Sequence, residues 1–277
     1  MFTVIACRAS VTAAVAIVLT LCNAAHCSAQ RIHLITVVDS LDKNIGAACS
    51  VDGAAVRNVF QTCVERGRLA IKSAVASDRQ TVLDAVDSIQ SGPQDTIVLY
   101  YSGHGFYDED GHRLYFSSTR STLSRLELRQ HLVAKQARLH VMLTDCCNNY
   151  FPSEGLALRY RAVDPNFKPV TTPLFETLFF RSRGIADIMS SGEDEMSLIR
   201  SITEGSVFTI HLVEFLQINA DKTHNWSDLF SAVAQKTEKE SSTVYGKQDE
   251  SRRLLKKADG TVVVQKKHTP VHFGLPD

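Results

Sequence analysis

The chain has 277 residues, of which 44% are hydrophobic, and its thirty basic and thirty acidic residues cancel in charge. A chain of this length and hydrophobic content can bury one sizeable core. The charge balance excludes a general attraction to nucleic acid or to anionic lipid, so we expect no nucleic-acid partner.

Residues 1–30 differ in composition from the rest of the chain. A single charge, Arg8, precedes an apolar run from Val11 to Leu21, and small residues follow it. This order is typical of a secretory signal peptide. The apolar run is too short to span a bilayer, which takes about twenty residues. We predict cleavage near Ala25 or Ala29, export of the chain, and no stable membrane insertion after cleavage.

The first half of the remaining chain alternates between strand and helix patterns. Asp39–Ser50 is predicted to be a loop. Strands are predicted at Ile32–Val38, Leu69–Val75, Thr96–Tyr101 and Arg138–Thr144, with helices capped by Asp52 and Asp78, a hairpin closing on Leu114–Ser117, and a helix over Ser124–Ala134. The alternation predicts an α/β fold with a mainly parallel sheet between helices.

The second half begins with an irregular connection, Asn148–Arg181, in which four prolines prevent long regular elements. The later predictions are a strand at Gly184–Ser190, an acidic turn at Ser191–Ser197, helices at Val207–Ile218 and Trp226–Lys239 with Ser227 as a cap, and short strands at Thr261–Val264 and Thr269–Phe273. No repeat or break in composition divides residues 31–277, so we predict one domain there.

A histidine between two glycines closes the third predicted strand, in the sequence T-I-V-L-Y-Y-S-G-H-G from Thr96 to Gly105. Open α/β sheets place their ligand sites at the carboxyl ends of their strands. The flanking glycines allow close approach of a substrate and leave the N–H of Gly105 unhindered. His104 is therefore the first candidate for chemistry.

The fourth predicted strand runs into Asp145-Cys146-Cys147. Cys147 lies 43 positions after His104. Parallel strands that end at one edge would bring a thiol and an imidazole together, a combination suited to acyl transfer. The backbone N–H groups of Gly105 and Cys147 would then hold the oxyanion. Cys147, which lies further past the strand, is the preferred nucleophile, and Cys146 is expected to pack inward as a small hydrophobe.

These motifs resemble the caspase-like peptidases, and in particular the metacaspases and their bacterial relatives. The family pattern S-G-H-G followed by D-x-C aligns His104 and Cys147 with the family's dyad, and Gly205–Thr209 and Thr269-Pro270 are similar to later family segments. The resemblance implies a three-layer α/β/α sandwich and a cysteine endopeptidase acting on peptides or proteins. Metacaspases usually continue with H-S-G after the cysteine, whereas this chain has Asn148-Asn149-Tyr150.

The resemblance also implies a pocket for Arg or Lys, formed at matching positions by Cys49, Asp52, Ser102, Glu193 and Asp194. Carboxylates in a partly buried cleft favour a cationic side chain. In the alternative interpretation Asp52 is a helix cap and Glu193-Asp194 is a solvated turn. The resemblance allows a calcium requirement without identifying ligands; no other cofactor and no metal ligand is predicted.

Three alternatives stay open at this stage. The unusual C-C-N-N sequence suits a catalytically weak domain that binds a peptide or a partner through the same cleft. A redox or metal site would instead use Cys146, Cys147 and His104, although no known ligand spacing is present. The cysteines beyond residue 30 would also suffice for two disulfides in an exported protein. No oligomeric state is predicted.

Overall fold

The computed structural model describes residues 30–108, 111–147, 169–248, 254–256 and 261–276. The predicted signal peptide and residues 148–168 of the irregular connection lie outside this part of the chain. Among the described residues, no helix combines the length and the apolar character that crossing a membrane requires.

A six-stranded sheet forms the centre of the fold. Its strands are β1 (Ile32–Val38), β2 (Leu69–Val75), β3 (Thr96–Ser102), β7 (Leu139–Asp145), β8 (Gly184–Met189) and β13 (Val271–Gly274). They are ordered β13-β8-β7-β3-β1-β2, and only β13 runs antiparallel to its neighbour. Every residue of β3 and β7 is buried, because helices cover both faces of the sheet, and both strands are therefore mostly apolar in sequence.

Helices form the two outer layers. They are α1 (Gly46–Cys63), α2 (Arg79–Asp87), α3 (Arg125–Val133), α4 (Val207–Ile218) and α5 (Trp226–Gly246), with a π-helix at Glu176–Arg181 after a short α-helical turn at Pro173–Phe175 and a 3₁₀ turn at Arg66–Arg68. One core joins the sheet to α1, α4, α5 and the π-helix, and a second joins its other face to α2 and α3. The predicted three-layer α/β/α sandwich is confirmed.

Alternate residues of β3 show how the strand serves both cores. Val98 and Tyr100 pack into the first core, whereas Ile97, Leu99 and Tyr101 pack into the second. Side chains of a strand point alternately to opposite faces, so an apolar residue at every position requires a layer on each side.

Three small sheets lie outside the central one. The first contains β4 (His104–Asp108), β5 (Gly111–Phe116) and β6 (Ser121–Ser124), the second β9 (Ile199–Ser201) and β10 (Gly205–Ser206), and the third β11 (Leu254–Lys256) and β12 (Val262–Val264). The predicted hairpin corresponds to β4 and β5, whereas β6, β9, β10 and β11 were not predicted. Strands this short carry little periodicity.

Several predicted helix ends are wrong. α1 begins within the predicted loop, at Gly46, because Ala48 and Cys49 are buried against the sheet; Asp52 therefore lies inside the helix, and Ile45 is its N-cap residue. Asn225, not Ser227, caps α5 in a capping box with Asp228. That helix also continues past Lys239 to Gly246, where Tyr245 is buried. The predicted cap Asp78 is confirmed, and its side chain accepts the N–H of Thr81 at 2.8 Å.

Candidate active site

The candidate site lies where β3 and β7 end side by side. Ser102 is opposite Asp145 in their parallel pairing, and Gly103 donates its N–H to the carbonyl of Asp145 at 3.2 Å. His104 and Cys147 each lie two residues beyond this paired position. Both line one cavity, together with Ile45, Cys49, Ser102, Gly103, Asp145, Cys146, Ser197, Ile199 and Ser206.

His104 begins β4 and is anchored on two sides. Its carbonyl accepts a hydrogen bond from the Tyr101 hydroxyl at 2.9 Å, and its ring Nε2 lies 3.1 Å from Oδ2 of Asp42. The other oxygen of Asp42 accepts the N–H groups of Asn44 and Ile45 at 2.7 and 2.9 Å. Burial raises the pKa of Asp42, but these N–H groups and the nearby imidazole outweigh burial, and the pKa lies below its ordinary value.

The ionised Asp42 decides the arrangement of protons on His104. A carboxylate only accepts hydrogen bonds, so Nε2 of the histidine carries the proton that lies between them. The Nδ1 of a neutral His104 is then left with a lone pair that can take a proton. Asp42 was not among the residues predicted from the sequence, although a carboxylate in the turn that follows β1 belongs to the same edge of the sheet.

Cys147 is half-buried and lies two residues after the end of β7. Its Sγ donates to the carbonyl of Ser197 at 3.8 Å. Burial raises the pKa of the Cys147 thiol to about 11, with a smaller contribution from the charge of Asp145. The thiol is therefore neutral at physiological pH and needs a base before it can act as a nucleophile.

Gly105 allows the loop that carries Cys147 to lie against β4. A β-carbon at Gly105 would lie only 2.5 Å from the carbonyl oxygen of Cys147 and 3.0 Å from Sγ of Cys146. Any larger residue would push this loop away. The close approach places the backbones of the two predicted oxyanion donors, Gly105 and Cys147, next to each other.

Hydroxyl groups that donate hydrogen bonds to two buried carboxylates form the other side of the cavity. Asp52 accepts hydrogen bonds from Ser102 Oγ at 2.9 Å, Ser206 N at 2.8 Å and Ser206 Oγ at 2.6 Å. Asp145 accepts from the hydroxyls of Ser197 at 2.8 Å and Thr209 at 2.6 Å. Burial, and then the charge of Asp145, raises the pKa of Asp52 to about 8; burial also raises the pKa of Asp145.

Comparison with known proteins identifies the family. A family model described as the caspase domain of the C14 peptidases matches residues 46–271. The chain belongs to this family. A solved structure described as pro-sf-caspase-1 is similar to it with a TM-score of 0.52 and 14% sequence identity, covering 88% of this chain and 87% of that chain. No curated protein matches the chain.

Another cysteine and histidine of the caspase domain, Cys146 and His112, are in contact and form an alternative to the predicted dyad. Nε2 of His112 lies 3.7 Å from Sγ of Cys146 and 3.2 Å from the carbonyl of Cys147. Because a carbonyl only accepts, this Nε2 carries a proton and cannot take one from Cys146. Burial lowers the pKa of His112 to about 3 and raises the pKa of Cys146. The pair therefore packs beneath the Cys147 loop as a neutral support, and Cys146 lies in the second core as expected.

The substrate-binding residues predicted from the sequence fall into two groups. Cys49 and Ser102 line the cavity, and Asp52 is directly behind Ser102. Glu193 is exposed, and neither it nor Asp194 is among the described residues that line the cavity. In the same turn Glu195 accepts the N–H of Thr269 at 2.6 Å, which attaches the turn to the segment before β13.

Asp145 also contributes a carboxylate to the cavity, a role that was not predicted from the sequence. Asp145 is the last residue of β7, opposite Ser102, and both residues line the cavity. Gly205 supports this side of the site, because its φ of +91° is unfavourable for other residues and an added β-carbon would lie 2.0 Å from Oδ1 of Asp52.

The described part of the chain gives no metal or disulfide site. No group of three or more His, Cys, Asp or Glu side chains is arranged there to hold a metal ion. Cys49, Cys63, Cys146 and Cys147 are free thiols. We assign no calcium ligand, and the calcium requirement stays a prediction.

Proposed function

We propose that this caspase domain is a cysteine endopeptidase of the metacaspase type that cleaves after Arg or Lys, with Cys147 as nucleophile and His104 as acid and base. The observation that carries the proposal is that both residues line one cavity at the shared end of β3 and β7. A thiol and an imidazole at one cleft are the minimum required for acyl transfer through a covalent intermediate.

The reaction begins with a neutral thiol and a neutral imidazole. Nδ1 of His104 takes the proton of the Cys147 thiol as Sγ attacks the carbonyl carbon of the scissile bond. The N–H groups of Gly105 and Cys147 stabilise the oxyanion. The imidazolium returns its proton to the leaving amine, which releases the first product and leaves a thioester. Water, deprotonated by His104, hydrolyses the thioester and restores the thiol.

The charge of the cavity supports the preference for a basic side chain. Asp52 and Asp145 are buried near one another, and the pKa of each carboxyl group is raised. An Arg or Lys side chain in contact with Ser102 and Ser206 would form charge-assisted hydrogen bonds there. Its positive charge would also favour the ionised form of Asp52. An acidic side chain would face carboxylates, and the described residues that line the cavity include no lysine or arginine.

The test compares fluorogenic peptide amides that differ only in the residue before the cleaved bond, which is Arg, Lys, citrulline or Asp. We expect turnover of the Arg and Lys peptides, about 1,000-fold less turnover in Cys147→Ala and in His104→Ala, and near-normal turnover in the matched control Cys146→Ala. Turnover retained by Cys147→Ala, or a preference for Asp, would overturn the proposal. Repeating each assay with calcium and with a chelator tests the calcium requirement.

A second candidate function is peptide binding without efficient cleavage. It is favoured by the raised pKa of Cys147, whose thiol donates to the carbonyl of Ser197 instead of being ionised. In this case an Arg peptide would bind the wild-type chain and Cys147→Ala with the same Kd, measured by calorimetry, while neither protein turned it over. A measurable kcat for the wild-type chain excludes this function.

We also propose that the chain is exported and that residues 31–277 form the mature domain. The composition of residues 1–30 supports this proposal. N-terminal sequencing of the secreted protein should give a terminus after Ala25 or Ala29. Retention of the chain inside the cell with Met1 intact would contradict it.

A further inference from the structure

We infer that Asp42 is a positioning residue for His104, so that the site contains an ordered carboxylate, imidazole and thiol. The inference rests on the proposed function, because it assigns Asp42 a part in the same reaction. Asp42 lies before residues 46–271, the range that the family model matches, so the comparison does not supply it. It comes from the contact of 3.1 Å between Oδ2 of Asp42 and Nε2 of His104.

The backbone around Asp42 is fixed at both ends. Asp39 donates its N–H to the carbonyl of Ser102 at 2.9 Å, which joins the start of the turn to the end of β3. Gly46 donates its N–H to the carbonyl of Asp42 at 3.1 Å, which joins the end of the turn to α1. The turn is therefore attached to β3, which ends two residues before the histidine, and to the helix that carries Asp52.

The two oxygens of Asp42 have separate partners. Oδ1 accepts two backbone N–H groups, from Asn44 and Ile45, which fixes the plane of the carboxylate. Oδ2 is thereby directed at the imidazole. A carboxylate oriented in this way can hold one tautomer and one ring orientation of a histidine. Carboxylates that are hydrogen-bonded to metal-bound histidines act in the same way.

The electrostatic surroundings make the contact effective. The side chains of His104 and Asp42 are only 14% and 11% exposed, so little water competes for the hydrogen bond. The charge of Asp42 would stabilise the imidazolium that forms when the thiol proton is transferred. Ionisable groups of the neighbouring elements also lie near His104. Asp39, directly after β1, is bonded to Ser117, and the Tyr101 hydroxyl of β3 donates to the His104 carbonyl at 2.9 Å. Tyr115 on β5 has its ring centre 6.2 Å away, and Cys147 lines the same cavity.

A purely structural role for Asp42 makes a different prediction. Asp42 also satisfies backbone N–H groups before α1, so its loss would disturb Ile45, which lines the cavity. Asp42→Asn keeps a side-chain oxygen for these groups but removes the charge, whereas Asp42→Ala removes both. Asp78→Asn is the matched control, because Asp78 also accepts a backbone N–H at a helix start but caps α2.

The kinetic test measures kcat, KM and the pH profile of kcat at saturating Arg peptide amide in these three variants, because the profile of kcat is separate from the pH dependence of KM. We expect Asp42→Asn to lower kcat by about 10- to 100-fold, to change KM by less than about threefold, and to move the acidic limb of the profile to lower pH. Asp78→Asn should match the wild-type chain. A normal kcat and an unmoved acidic limb in Asp42→Asn, or a loss explained entirely by a lower Tm, would overturn the inference.

A second measurement does not depend on peptidase activity. The ¹⁵N NMR signals of the His104 ring, assigned with a His104→Gln variant, report which nitrogen carries the proton in the neutral side chain. The wild-type chain should show the Nε2–H tautomer, and Asp42→Ala should show a mixture. An Nδ1–H tautomer in the wild-type chain would overturn the inference even if peptides are cleaved, and an Nε2–H tautomer without cleavage would leave it standing while the proposed function fails.

Discussion

Ser102 lies opposite Asp145 in the parallel pairing of β3 with β7. This register explains why the candidate site forms where it does, because each strand ends at the paired residue and the chain then reaches His104 or Cys147 two residues later. It also brings the Ser102 hydroxyl, bonded to Asp52, into the same cavity as the carboxylate of Asp145. One pairing thus unites the reacting groups with the groups proposed to bind a basic side chain.

Binding of an Arg peptide should become tighter as pH rises toward 8. Burial and the charge of Asp145 raise the pKa of Asp52 to about 8, so Asp52 is protonated below that pH and ionised above it. A cationic side chain binds the ionised form, so KM should fall by up to about tenfold per pH unit between about pH 6 and 8 and then level off. The citrulline peptide, which is uncharged, is the control. The same pH dependence for both peptides would contradict this explanation.

The Cys147 thiol should react slowly with small electrophiles at neutral pH. Because burial raises its pKa to about 11, the rate of alkylation by iodoacetamide should increase about tenfold per pH unit through pH 9 without levelling. The measurement follows modification of Cys147 by mass spectrometry, with a cysteine-containing peptide as the reference. A rate that levels near pH 7 would indicate an ionised thiol and a different mechanism.

Gly105→Ala should impair catalysis more than folding. The added methyl would lie 2.5 Å from the carbonyl oxygen of Cys147, so the nucleophile loop must move, and displacement of about 1 Å lowers kcat by about 100-fold. Gly67→Ala is the control, because no atom lies within 4 Å of a β-carbon there. Kinetics and thermal melting of both variants test this. An unchanged kcat in Gly105→Ala would show that the close contact has no catalytic consequence.

Gln265→Ala should weaken the side of the cavity formed by Ser197. The amide of Gln265 donates to the carbonyl of Met196 at 2.9 Å, next to Ser197, whose hydroxyl bonds to Asp145. Loss of this buried amide should lower the free energy of unfolding by about 1–3 kcal/mol and raise KM for the Arg peptide while kcat stays similar. The exposed neighbour Lys266→Ala should have neither effect. Equal effects of the two substitutions would assign the change to the chain segment and not to the Gln265 hydrogen bond.

The strands, and the position of His104 and Cys147 at one cavity, could be predicted from the sequence because their signals are local. β3 and β7 are mostly apolar segments, and each ends directly before a glycine or cysteine motif. Parallel order then requires His104 and Cys147 to approach the same edge. The inward packing of Cys146 follows in the same way from its position beside the strand, and the structure confirms it.

The supporting residues could not be predicted in this way, because their roles depend on contacts between distant segments. The local sequence around Asp52 is typical of a helix cap, and only the family resemblance indicated a position in the pocket; Asp52 is buried inside α1 and bonded to Ser206, 154 positions away. Asp42 has no motif around it, and its partner His104 is 62 positions away. Glu193 and Asp194 are acidic and fall in the expected turn, but composition does not report which way a turn faces.

The most direct test of the central claim is covalent labelling with an Arg-containing peptidyl acyloxymethyl ketone, followed by mass spectrometry of the digested protein. We predict one equivalent of label on Cys147, strong loss of labelling in His104→Ala, and no labelling by the corresponding Asp reagent. A label on Cys146, or no label on the wild-type chain, would contradict the assignment of Cys147 and His104 as the reacting pair.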